Sequence, residues 1–305
     1  MLLGRRLERA LADFGADESF EKAAAKTREH YGIEIGASRV MRVSLKHAGK
    51  LAQRQPQACT RLPAKGAGWI IAEADGSMVP VVDIAEGAQR DKRKRRVVRW
   101  QEARVVAAQK QGQASALYDA TLGEVSEAGT RWSAIAGQCD WGMDTQIHVV
   151  GDGAPWIEQQ ARERFAGQGR YLLDLYHVCE YLAAVWPGQG EKLAALREAL
   201  KENRHEKVLE QLRGRQESEE TPEEQAPARR ALRYLENRRG QLGYAEALAA
   251  ELPVGSGLIE SAHRHVVQAR IKKAGAWWKP ENAQAMLQLR VTRANNLWNS
   301  YWLNN

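Results

Sequence analysis

Cysteine is scarce in this chain and carries no pairing pattern. Cys59, Cys139 and Cys179 stand far apart, odd in number, with no CxxC pair. That excludes a disulfide framework and a thiolate metal centre, and it reads as the reduced, structural thiols of a cytoplasmic protein. Long apolar runs are missing too. No stretch of about 18 apolar residues occurs, so no membrane-spanning helix is expected. The opening MLLGRRLERALADF has neither the apolar core nor the cleavage site of a secretory leader. Nothing recurs at the period of about 20 to 50 residues that marks repeat folds. No Ser, Cys and His arrangement reads as a nucleophilic triad.

What is there is a globular balance, 44% hydrophobic and 27% charged over 305 residues, enough for a sizeable core and about two domains. The 45 Lys and Arg against 38 Asp and Glu give a net charge of +7. That excess suits an anionic partner, nucleic acid ahead of membrane. Ten tryptophans are unusual.

Residues 1–60 read as helical. Leu7, Ala10, Leu11 and Phe14 recur on one face, Ser19 can cap a helix running to His30, and Ser38 can cap another over RVMRVSLKHAGKL. Two helices about a glycine-containing turn fit a helix-turn-helix, in which Arg39, Arg42 and Lys46 of the second would face the DNA major groove. Residues 61–189 change pattern. Trp69 to Asp75 is strand-like and ends in a turn signal at Asp75-Gly76, and Met78 to Val82 resumes it. A basic run, Asp91 to Arg96, precedes further alternation to Ala107, and Leu117 to Leu122 fits a short strand or helix equally well. Thr145 to Ala154 is the clearest buried strand, ending in an acid flanked by glycines, Gly151-Asp152-Gly153, with Pro155 opening a helix. Arg170 to Asp174 is another strand, leading into a helix with His177. Residues 190–250 are helical and polar, an insertion without sheet pattern. Residues 251–305 begin with the glycine-broken loop Val254 to Gly257, which feeds a helix carrying Glu260 in its first turn with Ser256 as its cap.

Three carboxylates thus occupy comparable places: Asp75 and Asp152 at strand ends and Glu260 at a helix start. Strand carboxyl ends are where α/β sheets place ligands. Clustered Asp and Glu suit hard divalent cations, Mg²⁺ or Mn²⁺, and a pair of such ions supports in-line phosphoryl transfer. Without a cation three close anions would repel one another. The duller reading of Glu260 is a first-turn charge preference. Asp174 and His177 read as a helix cap and a packed imidazole, or as support for the acids.

EADGSMVPVVD around Asp75, HVVGDGAPWI around Asp152, then LLDLYHVCEYL and VGSGLIESAHRHVVQARIKKAGAWW resemble, in that order, the DDE transposases of bacterial insertion sequences. Within them they are most similar to the ISKra-type family related to the Mutator-like elements. The resemblance covers about Trp69 to Trp302. It implies an α/β fold, a ribonuclease H-like mixed sheet flanked by helices, with a helical insertion before the final Glu. It makes Asp75, Asp152 and Glu260 the metal-binding catalytic triad, with two divalent ions, and matches Asp174 and His177 to an Asp-x-x-His signature beside it. The implied activity is metal-dependent DNA cleavage and strand transfer at the ends of a mobile element. The implied partners are double-stranded DNA and a second copy of the chain, in a bacterial, nucleoid-associated setting. Arg264, Arg270, Lys272 and Lys273, on or beside the helix of Glu260, are expected to hold DNA phosphates. Two other readings share the motifs: a nuclease or resolvase without strand transfer, and a shortened, non-catalytic DNA-binding copy that represses its element.

Overall fold

The computed structural model describes residues 4–54, 56–86, 91–215 and 217–304. Three helices come first, α1 (Arg5–Asp17), α2 (Phe20–Tyr31) and α3 (Ala37–Ala52). Ser19 caps α2 by accepting from the Lys22 amide, as its position predicts, whereas α3 starts one residue before Ser38, on Gly36. On α3, Val40, Val43, Ser44, His47 and Leu51 follow the three-and-four spacing of a buried helical face. That face does not close an independent unit. It joins one core with the C-terminal helices α12 and α13, given below.

The sheet has five strands: β1 (Trp69–Ile84), β2 (Arg96–Lys110), β3 (Leu117–Thr121), β4 (Gln146–Gly151) and β5 (Gly169–Leu173). Their order is β3-β2-β1-β4-β5, with β1–β2 and β2–β3 antiparallel and β1–β4 and β4–β5 parallel. Asp75-Gly76 is therefore not a turn. β1 runs through it, paired with β2 from Ile70↔Lys110 to Ile84↔Arg96, because alternation continues on both sides of the dipeptide and the partner strand is long enough to use it. The reversal falls instead near the basic run, in a short 3-10 turn over Lys92–Arg95; the side chains of Lys92 and Arg93 lie outside the described residues. Pro80 fits inside β1 because its missing N–H falls on the edge that faces away from β2. Two residues on, the Val82 amide on that edge donates to the Trp278 carbonyl.

Helices α4 (Val125–Gln138) and α5 (Pro155–Phe165) cover one face of the sheet. There Ile70, Ala72, Ala74, Val106, Ile147 and Val149 meet Trp132, Ile157 and Phe165. Trp132 is fully buried and donates its indole N–H to the Ala107 carbonyl, so truncation to Ala would cost about 3–5 kcal/mol. The opposite face carries the remaining α-helices. The helices α6 (Leu175–Val185), α7 (Gly190–Lys201), α8 (His205–Arg213), α9 (Pro227–Glu236) and α10 (Tyr244–Ala249) form a second core against Ile71, Leu172 and Leu173. α11 (Gly257–Ala262) passes into a π-helical turn over His263–Gln268, and α12 (Pro280–Ala294) and α13 (Trp298–Leu303) follow. These last elements pack with α1–α3 on Val79, Val81, Ala103 and Val105. Among the described residues no helix is long and apolar enough to cross a membrane.

Candidate active site

Register brings the strand-borne acids together. β1 and β4 pair in parallel up to Glu73↔Val150, and β4 and β5 up to Gly151↔Leu173. Carried forward, that register sets Asp75 beside Asp152, and Asp152 beside Asp174, one row across three adjacent strands, just past the carboxyl ends of β4 and β5. Asp75 lies within β1 rather than at its end, on the face that also carries Glu73, since the two are two residues apart. Its Oδ1 accepts from the Gly76 amide, and its Oδ2 lies 3.0 Å from His263 Nε2, close but without hydrogen-bond alignment.

Asp152 sits just past β4 in a turn that only glycine makes easily. Gly153 has φ +84°, and a Cβ there would stand 2.4 Å from Arg238 Nε. One Asp152 oxygen accepts from the Ala154 amide. The helical insertion holds the same turn: the Tyr234 hydroxyl donates to the Asp152 carbonyl at 2.6 Å, and Arg238 donates to the Gly153 carbonyl at 2.7 Å. Burial raises the Tyr234 and Tyr171 hydroxyls above their ordinary pKa, so both stay protonated hydrogen-bonding groups.

Glu260 arrives from across the chain. Its loop is tied to α6 by the Leu175 amide, which donates to the Val254 carbonyl at 2.9 Å, and to two carboxylates. Asp174 caps α6 by accepting from the Tyr176 and His177 amides through Oδ1, while Oδ2 accepts from the Ser256 amide and hydroxyl. Ser256 thus spends its side chain on Asp174 and caps nothing itself. The second carboxylate is Glu73, 1% exposed, whose Oε2 accepts from the Ile259 amide at 2.8 Å and whose Oε1 is buried without a partner. Burial pushes the Glu73 pKa up to about 8; the Ile259 and Leu258 amides oppose this, and the negative charges of Asp174 and Glu260 add to it. The Glu260 side chain is exposed, with no hydrogen-bond partner among the described residues. The π-helical turn directly after α11 is a form that often marks functional sites.

Glu73, Ser256, Tyr234 and Arg238 were not among the expected site residues. Glu73 had a readable signal, the alternation that sets it on the face of Asp75; the other three act through contacts far apart in sequence. His177 packs edge-on against Tyr181 and Tyr234 and lies 3.2 Å from Glu180. The expected DNA-facing cations divide. Arg264 and Lys272 are exposed, and Lys272 donates to the Ser77 hydroxyl. Lys273 donates to the Asp17 carbonyl. Arg270 corrects the expectation: it is 3% exposed, donates to the Gly15 carbonyl and lies over the Phe20 and Trp278 rings, so it ties α1 to the C-terminal segment. On α3, Arg42 is exposed and bonds the Ser38 carbonyl, and Lys46 pairs with Glu8 at 3.1 Å.

Among the described residues, no three His, Cys, Asp or Glu side chains are gathered closely enough to hold a metal ion. The backbone row and the loop bring the acids to one side of the sheet, and their side chains do not close on a common point.

The profile of UPF0236, an uncharacterised protein family, matches residues 6–300. Among curated proteins the chain is similar to UPF0236 proteins of Caldanaerobacter subterraneus subsp. tengcongensis. One is 30% identical over 154 residues, covering 49% of this chain and 31% of that protein. A second is 28% identical over 153 residues, covering 49% and 30%. The matched stretch spans about a third of the length of these relatives.

Proposed function

We propose that the chain, which belongs to the UPF0236 family, is a DDE-type transposase with a ribonuclease H-like core. The single observation that carries this reading is the row of Asp75 and Asp152 on adjacent parallel strands, with the helix of Glu260 packed on the same face. The mixed sheet, antiparallel on one side of β1 and parallel on the other, suits the core that the sequence motifs imply.

The three acids fit a hard cation by donor type, and one Asp152 oxygen and both Glu260 oxygens have no hydrogen-bond partner among the described residues. Asp75, Asp152 and Glu260 would hold Mg²⁺ or Mn²⁺. When bound, such ions activate the attacking oxygen and stabilise the leaving one in phosphoryl transfer. The chain's own part is to hold three carboxylates on one face, two by strand register and one by a tethered loop. Exposed Arg264 and Lys272 lie on the segment that follows Glu260, suited to the DNA backbone. In the reaction, water attacks a phosphodiester and the 3′ oxygen leaves as a hydroxyl. That hydroxyl then attacks a second phosphodiester, whose own 3′ oxygen leaves as a hydroxyl as the new ester bond joins the strands.

The test incubates the purified chain with labelled DNA from the borders of its own gene and Mg²⁺, beside Glu260→Gln. Nicking that needs the metal and disappears in the variant, followed by joined products, is the expected result. Cut ends that never join would make it a nuclease. Binding without any cutting would favour a non-catalytic DNA-binding copy, the reading that the separated acid side chains suit.

A further inference from the structure

On the surface of the helical insertion lies a cavity of about 510 Å³, lined by Tyr181, Tyr234, Arg230, Arg233, Arg238 and Glu223. Three guanidinium groups against one carboxylate leave it strongly positive. Arg233 is satisfied by Glu223 and Arg238 by the Tyr234 and Gly153 carbonyls. Arg230 has no anionic or hydrogen-bond partner among the described residues; its guanidinium lies 5.9 Å from the centre of the Tyr181 ring. The wall beneath is rigid, because Tyr181 and Tyr234 stack at 4.2 Å with their planes 6° apart. The same wall reaches the acid row, since the Tyr234 hydroxyl and Arg238 bond the Asp152-Gly153 backbone.

A cavity with a spare guanidinium, a fixed aromatic floor and a direct bond to the Asp152 turn has the chemistry of a phosphate-backbone seat. We propose that it takes phosphodiester groups of the DNA duplex on its way to Asp152, so that the insertion is part of the substrate track. This rests on the transposase reading for the identity of the ligand. It assigns the contact to α9, away from the α3 and post-Glu260 cations.

The experiment measures binding of a labelled border duplex by the full chain across a salt series, for the wild type, Arg230→Ala and Arg230→Ala/Arg233→Ala. Both side chains are exposed, and unchanged melting temperatures check that the fold is kept. The single variant should weaken binding about 5- to 10-fold at low salt and flatten the log–log salt slope by about 0.9, one phosphate contact; the double variant should flatten it further. An Arg230→Ala slope equal to wild type overturns the proposal. So does a site that inorganic phosphate fills at millimolar concentration without displacing DNA, which would make it a small-anion site. The outcome is separable from the transposase reading: a chain that never nicks but loses the phosphate contact with Arg230 keeps the seat and loses the chemistry. One that nicks with an unchanged slope keeps the chemistry and loses the seat.

Discussion

The two halves of the acid site are built by different means. Asp75 and Asp152 are placed by the pairing of neighbouring strands, a constraint shared with every ladder bond around them. Glu260 is exposed on a six-residue helix whose approach depends on a few ties, Leu175 to Val254, Ser256 to Asp174 and Ile259 to Glu73, the last spanning 186 residues. A sheet fixes position through many weak bonds; a tethered loop does so through a few that matter individually. The strand-borne half should therefore tolerate loss of any one neighbour, while the helix-borne half should fail tie by tie.

The largest effect tests whether the halves act together. Asp75→Asn and Asp152→Asn should each lower metal-dependent nicking by about 1,000-fold or more with DNA binding retained. An active Asp75→Asn enzyme would remove the strand-borne half from the chemistry. Next comes the buried tie. Glu73 has a pKa of about 8 when folded against 4.5 ordinarily, so the folded state holds a proton that the unfolded chain has lost between those values. Its contribution to stability is fully present below about pH 4.5 and is lost as pH rises through 8, on the order of 5 kcal/mol in all. Urea unfolding at pH 5 and pH 8 should reveal that slope in the wild type and not in Glu73→Gln; equal slopes would mean the carboxyl is ionised in the fold.

Smaller effects sharpen the contrast. Ser256→Ala removes the hydroxyl half of the Asp174 tie and should cost about 1–2 kcal/mol, with faster hydrogen exchange confined to the 254–262 segment. Gly153→Ala, forced to a positive φ against Arg238, should cost about 1–3 kcal/mol, with its structural effect staying at the Asp152 turn. Spreading of either disturbance to the other half would erase the distinction between them. The smallest expected change is on α3, where Arg42→Ala should weaken duplex binding only a few-fold and uniformly across sequences if the contact is to phosphate.

How much of this was legible in the sequence follows the same division. β4, β5 and the acid between Gly151 and Gly153 were readable because a buried strand, a turn and a helix start fall within a dozen residues. The insertion was readable as helical for want of any alternation. Asp75-Gly76 misled, because a turn dipeptide says nothing of whether a long partner strand stands opposite. Ser256 misled for a related reason: a serine before a helix reads as a cap, and here an Asp 82 residues away takes its hydroxyl. Arg270 read as a surface cation in a basic stretch, and tertiary packing buried it between rings. Alternation sets Glu73 on the face of Asp75, but its role is not local, since its partner is a backbone amide in another element.

The claim that these three acids form one cation site is open to a test without DNA. Mn²⁺ binding, followed by electron paramagnetic resonance, should be clear in the wild-type chain. It should fall at least about tenfold in affinity in each of Asp75→Asn, Asp152→Asn and Glu260→Gln. Equal Mn²⁺ binding by all four proteins would contradict the account.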